Sequence, residues 1–237
     1  DTTPEGEQVN IYGNHVGSWN FAATAYLNQW KVKIYYEHYF DDHSQMFFQY
    51  GRWKDGHIGL EITFPKNRFI DTFVYEGLGT KDQTGPMLYD SFWGEFEEQI
   101  SAKDNYYNHY LYQGWQHWGM GIGNPLLPEP IYNKNGQITF ISNRVLAHHI
   151  GFCGSPCQSL SYRMLLSYSR HWGTYDNPLN EIKKQFNSLF EVTYAPQQLK
   201  GWSFTVSGAM DRGSILGNNY GGMLVIRKQG IIKSGNK

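Results

Sequence analysis

Trp115 and Trp118 lie three residues apart in a glycine-rich run, GWQHWGMGIGNP, with His117 between them. Flat apolar rings cover the C–H faces of sugars, while nearby Asn, Gln, Asp and His side chains take the hydroxyls; this mix is typical of binding sites. The same rings also suit a glycine-rich strand or turn covered by Trp115, Trp118 and Met120, and both readings stand. Just upstream, KDNYYNH (103–109) is polar, charged and doubly aromatic. Asp104 and Asn105 are its candidates for sugar hydroxyls and Tyr107 for a ring contact; the alternative is a loop folded on its own contacts. Gly119, Gly121 and Gly123 do not make a dinucleotide fingerprint. That motif needs a strand before it and a helix after it, and here Asn124-Pro125 follows.

Other reactive residues are less well arranged. Glu95, Glu97 and Glu98 fall in GEFEEQ. On a strand, Glu95 and Glu97 would share one face, closer together than the two carboxylates of a glycosidase normally stand. A solvated or arginine-paired stretch is the expectation. Ser and His are abundant, but no nucleophile–base pair is singled out, so no catalytic residue is expected. His148 and His149 point to opposite faces of any strand. Without matching carboxylate or cysteine spacing, no metal is expected there. Cys153 and Cys157 form a C-x3-C pair, too few ligands for structural zinc and not the C-x-x-C redox spacing. A local disulfide across a turn and two free thiols are both open. No cofactor is implied.

The elements that must carry these residues are strands. Apolar and polar residues alternate from Trp19 to Leu27, from Trp30 to Phe40, and from Ile58 to Phe64. They alternate again from Leu160 to Tyr168 and from Trp202 to Met210, which is the half-buried strand pattern. Shorter candidates lie at Met46–Tyr50, Phe69–Glu76, Gln137–Gly151, Ser188–Tyr194 and Gly222–Arg227. About ten strands result, with Asp55-Gly56 and Asn135-Gly136 as hairpin formers. Only Asn180–Phe186 has a helical flavour. The first fifteen residues are polar and expected to be disordered, and the rest of 1–237 reads as one domain.

Composition narrows the class further. Among 237 residues, Lys and Arg number 20 and Asp and Glu 21, giving a net charge of −1. That excludes a broadly electrostatic nucleic-acid binder. Charged residues are 17%, against about 25% in ordinary soluble domains. Aromatics are another 17%, with 26 glycines, which suits an all-β chain. No apolar run is long enough for a membrane helix, but barrel strands need only about 10 alternating residues. A β-sandwich and an outer-membrane barrel both fit the alternation. Rings at strand ends (Trp19, Trp30, Phe40, Tyr168, Trp202) favour a barrel with aromatic girdles.

Specific blocks add to this. SAKDNYYNHYLYQGWQHWGMGIGNP (101–125), GTKDQTGP (79–86), NRVLAHHIG (143–151), SRHWGTY (169–175) and GWSFTVSGAMDRGSILGNNYGG (201–222) occur in that order. Together they resemble the capsule-assembly Wzi family of Gram-negative outer-membrane proteins. The resemblance implies an antiparallel transmembrane β-barrel, of which this chain is the C-terminal portion. It also implies a noncatalytic, lectin-like role: attaching exported capsular polysaccharide or exopolysaccharide to the cell surface. The implied partners are that polymer, outer-membrane lipid and the capsule-export machinery, with no nucleic acid. A general outer-membrane porin and, less so, a membrane-embedded hydrolase are the alternatives.

With a periplasmic C-terminus, 212–219 and 171–187 are expected outside, the latter as a long loop. The turns at 195–201 and around Cys153–Cys157 are then expected inside, where an oxidising periplasm favours the disulfide. Arg144, Arg163 and Arg170 are expected to line the lumen or its rim. There they would pair with Asp and Glu or meet the carboxylates of an acidic polymer. Trp172 and Tyr175 open the external loop and are surface candidates by position. The number of strands between Thr80 and Tyr132 is not legible.

Overall fold

The computed structural model describes residues 17–40, 55–67, 69–81, 105–108 and 115–230. Nine strands form one antiparallel sheet, and two very short strands form a separate hairpin. The strands are β1 (Gly17–Leu27), β2 (Trp30–Phe40), β3 (Gly56–Thr63), β4 (Thr72–Gly79), β5 (Gln116–His117), β6 (Met120–Gly121), β7 (Val145–Cys157), β8 (Leu160–Gly173), β9 (Pro178–Tyr194), β10 (Trp202–Gly213) and β11 (Asn219–Lys228). The sheet order is β1-β2-β3-β4-β7-β8-β9-β10-β11. Each neighbour in space is the next in sequence, save that β5 and β6 lie off the sheet. Among the described residues β1 and β11 do not pair with each other, so the sheet is open there.

Directly opposed residues share a face, so the register sorts every side chain. One row reads Ala23, Ile34, Leu60, Tyr75, Ile150, Leu166, Ser188, Met210 and Tyr220. Its neighbour reads Ala22, Tyr35, Gly59, Glu76, His149, Ser167, Asn187, Asp211 and Asn219. The apolar face is largely bare: Phe21, Ile34, Ile58, Phe190, Val206 and Leu224 are all more than half exposed. A sandwich would bury this face against a second sheet, and none covers it among the described residues. The hydrophobic cluster is instead small and lies on the other side. Leu78, Val145 and Ala147 of the sheet pack against Leu127 and Phe140 of the 80–144 connection.

That connection leaves β4 and returns to β7, its neighbour in the sheet. It folds onto the polar face: Tyr107, Asn124 and Leu126 reach the sheet beside Tyr39. The opposite ends of the strands are joined tightly, by Asn28–Gln29 and by Gln158–Ser159. The 80–144 connection is the long one, and the end it leaves from also carries the short links 174–177 and 214–218.

Several expectations are corrected. The 171–187 loop is only 174–177, because β8 runs to Gly173 and β9 starts at Pro178. The helical flavour of Asn180–Phe186 is overridden by ladders to β8 and β10, which use its backbone groups in strand pairing. Asn135-Gly136 turns within the connection without joining two strands, and 137–144 is irregular up to Val145. The Cys153–Cys157 segment is not a turn. It is the end of β7, the hairpin follows it, and both thiols are free. Four residues of extended chain span on the order of 10 Å, beyond the Cα separation a disulfide tolerates. The candidate strand Met46–Tyr50, the first fifteen residues and Glu95, Glu97 and Glu98 lie outside the described residues.

Candidate functional site

The sheet's polar face and the connection above it enclose a cavity of about 840 Å³. Glu37, His57, Glu76, His149 and Ser167 line it beside apolar residues, and they belong to a ladder of polar side chains that runs across the sheet. Tyr35 donates its hydroxyl to Glu76. His57 lies between two carboxylates, Nδ1 3.7 Å from Glu37 and Nε2 3.6 Å from Glu76. His149 Nδ1 and the Ser167 hydroxyl are 2.6 Å apart. Further along, Asn187 donates to Asp211 over 2.7 Å. Gly59 makes the ladder possible: the Tyr35 ring lies over its Cα, where a Cβ would collide with the ring. Only glycine lets Tyr35 reach across β3 to Glu76 on β4.

A serine, a histidine and a glutamate on three adjacent strands match the composition of an acyl-transfer triad. The wiring differs. Glu76 is engaged by Tyr35 and His57, and His149 turns Nδ1 toward Ser167. The hydrogen bonds hold polar side chains together on the cavity floor. Nothing in the sequence marks His149 and Ser167 as partners, since they are opposed only through the β7–β8 register.

The second concavity is outside. The β5–β6 hairpin projects from the connection, and a depression of about 500 Å³ lies beside it. Gln116, His117, Trp118, Ile131, Asn133 and Gln137 line it. Trp118 is 83% exposed and its backbone is left-handed, φ 55°. Such a conformation is uncommon and costly for a bulky side chain. Two bonds hold the turn: Gln116 Oε1 accepts from Gly119 N at 2.6 Å, and Ile131 N donates to Gly119 O at 2.8 Å. His117 stands edge-on to the Trp118 ring with centroids 6.2 Å apart. An exposed flat ring beside amide and imidazole groups is the chemistry that takes a sugar's C–H face and hydroxyls together.

The predicted site residues are thus dispersed. His117 and Trp118 share the outer depression, while half-buried Trp115 anchors the hairpin base through backbone bonds to Tyr107 and Ile122. Tyr107 lines the cavity and packs on Phe140. Asn105 does structural work: its Oδ1 accepts from Asn108 at 3.0 Å and from buried Asn143 at 2.5 Å. Asp104 lies outside the described residues. Arg163 is on the polar face, 3.3 Å from Glu191. Arg144 and Arg170, expected at a lumen or its rim, do not line the cavity on the polar face. Arg170 falls in the row of Leu146, on the apolar face. Arg144 bonds through its backbone to Trp172 and Gly173, and its guanidinium covers Tyr175. Trp172 lies under Arg170 and Lys81. Parity along β7 and β8 carries the signal that could have placed them, once the starts of those strands are known.

No protein-family model matches the chain, and neither a curated protein nor a solved structure shows significant similarity to it.

Proposed function

We propose that this chain is the carboxyl-side part of an outer-membrane β-barrel of a Gram-negative bacterium. Its function is to hold exported capsular or exopolysaccharide at the cell surface, without catalysis. The nine-stranded sheet would close with further strands into a larger barrel. The bare apolar face supports this, because a face of that size in water would be an aggregation site and in a bilayer is the normal exterior.

The observation that carries the binding reading is Trp118. Its ring is exposed at the tip of a braced hairpin, in a strained backbone, on the side of the long connections. Strain held by surrounding bonds in an exposed loop points to a role for the residue. Trp118 supplies the stacking surface, and His117, Gln116, Asn133 and Gln137 supply hydroxyl partners. Polymer delivered by export machinery would be retained here by many weak contacts along its length.

The test compares cell-associated with shed polymer for the native protein and a Trp118→Ala/His117→Ala variant. The double variant should reduce retained polymer about tenfold with unchanged amounts of folded protein. Retention equal to the native level would sink the assignment.

A further inference from the structure

The loop end of the apolar face carries a group of cations with no carboxylate partner among the described residues. Arg170 and Lys184 are directly opposed on β8 and β9. Like charges facing each other across a ladder destabilise it. Two cations share one ring: Lys81 Nζ is 5.1 Å and the Arg170 guanidinium 5.4 Å from the Trp172 centroid. Arg144 covers Tyr175 at 4.2 Å, and its backbone is bonded to that of Trp172. Among the described residues none of these four cations forms an ion pair with a carboxylate. The ion pairs between a lysine or arginine and a carboxylate among the described residues, Lys31–Glu61 and Arg163–Glu191, are on the polar face.

The height of the group is informative. Tyr162 and Trp172 are aromatic residues near the two ends of the apolar face on β8, ten residues apart. At about 3.4 Å per residue and a tilt of about 40°, they are separated by roughly 25 Å along a membrane normal. That is the height of an outer-membrane apolar band, so the cations stand where acyl chains end and headgroups begin. At the turn end, the same face carries rings (Trp30 on Phe64, Trp202 stacked on Phe204) with a lone lysine, Lys228, over Trp202.

We infer that Lys81, Arg144, Arg170 and Lys184, braced by Trp172 and Tyr175, form a docking site for the phosphate of a lipid headgroup in the leaflet at the loop end. Charge complementarity selects the occupant. Guanidinium groups fork onto phosphate oxygens, and an anion between Arg170 and Lys184 turns their repulsion into attraction. The cation–ring contacts fix the side chains beforehand, reducing the entropy lost on binding. The inference rests on the membrane reading above.

The experiment uses the whole protein, this chain together with the strands that close its sheet, in phosphatidylcholine vesicles containing 10 mol% of a bisphosphorylated glucosamine lipid or of its dephosphorylated form. Bilayer insertion is read first, from resistance to carbonate extraction. Lipid retained through detergent extraction is then counted by native mass spectrometry. The native protein should retain the phosphorylated lipid at least tenfold over the dephosphorylated one. The Lys81→Gln/Arg144→Gln/Arg170→Gln variant should lose that preference, while Arg163→Gln, on the other face, should keep it. If the triple variant does not insert, Arg170→Gln and Arg144→Gln are read singly, each with about a threefold loss. Failure of the whole native protein to insert overturns the membrane reading and this site with it. Normal insertion with no preference for phosphate, or an unchanged preference in the variants, overturns the site alone. Displacement of the lipid by millimolar inorganic phosphate would show a free-anion site and overturn the lipid assignment.

Discussion

Arg163 and Arg170 are seven residues apart on one strand, an odd separation that sends them to opposite faces. Arg163 meets Glu191 across the β8–β9 ladder, in register and 3.3 Å away. Arg170 has Lys184 in the equivalent position and a tryptophan ring beside it. The same residue type on the same pair of strands is neutralised on one face and left positive on the other. The polar face satisfies itself internally, through Tyr35 with Glu76, His149 with Ser167 and Asn187 with Asp211. On the apolar face Tyr75 bonds to His148 over 2.8 Å, but the cations at its loop end have no carboxylate partner among the described residues.

The largest effect should come from breaking that division. Phe190 and Leu189 are adjacent on β9 and point to opposite faces, Phe190 being paired with Met164 and Leu189 with Leu165. Phe190→Arg places a charge on the apolar face and should cost up to about 2–4 kcal/mol in a bilayer. Leu189→Arg, toward the polar side, should cost less than half as much. Urea unfolding of both variants in vesicles measures this. Equal costs would mean that the faces do not differ in environment.

A smaller effect tests the polar face alone. Gly59→Ala puts a methyl group into the space of the Tyr35 ring. Overpacking of this kind costs about 1–3 kcal/mol. The ring must leave β3, so the hydrogen bond to Glu76 is lost with it. A Gly59→Ala/Tyr35→Ala double variant removes the collision and should recover part of the loss of the single glycine change. Denaturant midpoints of the three variants measure the coupling, and strictly additive losses would mean that the ring does not depend on this glycine.

Alternation along the chain made the strands legible, because one bare face and one polar face impose period two on every element. It found β1, β2, β3 and β10 close to their observed limits and the start of β8, whose last residues it read as loop. It under-read β9, where Asn180, Glu181, Lys183 and Lys184 look helical in isolation and become strand only because ladders on both sides use their backbone groups. It was silent on the 80–144 connection, whose contacts are long-range and aperiodic: Tyr106 donates to Asp55, and Asn143 to Asn105 and Tyr106. The site shows the same split. His117 and Trp118 could be named because they sit together in sequence. Lys81, Arg144 and Trp172 could be assembled only by the register that joins β4, β7 and β8.

The smallest effect should have the opposite sign. Trp118 pays for its left-handed backbone with no burial in return, being 83% exposed. Asn28 has the same φ of 55° in the β1–β2 turn, but asparagine accepts that conformation readily. Trp118→Gly removes the backbone cost while giving the unfolded chain more freedom, so the net gain should be at most about 1 kcal/mol. Asn28→Gly should change stability by less. If Trp118 is kept for binding, the stabilised Trp118→Gly variant retains less polymer than the native protein, and stability and retention move in opposite directions. Thermal melts paired with polymer-retention assays on the same two variants decide it. A Trp118→Gly protein that is both more stable and fully retentive would leave the strained ring without a function.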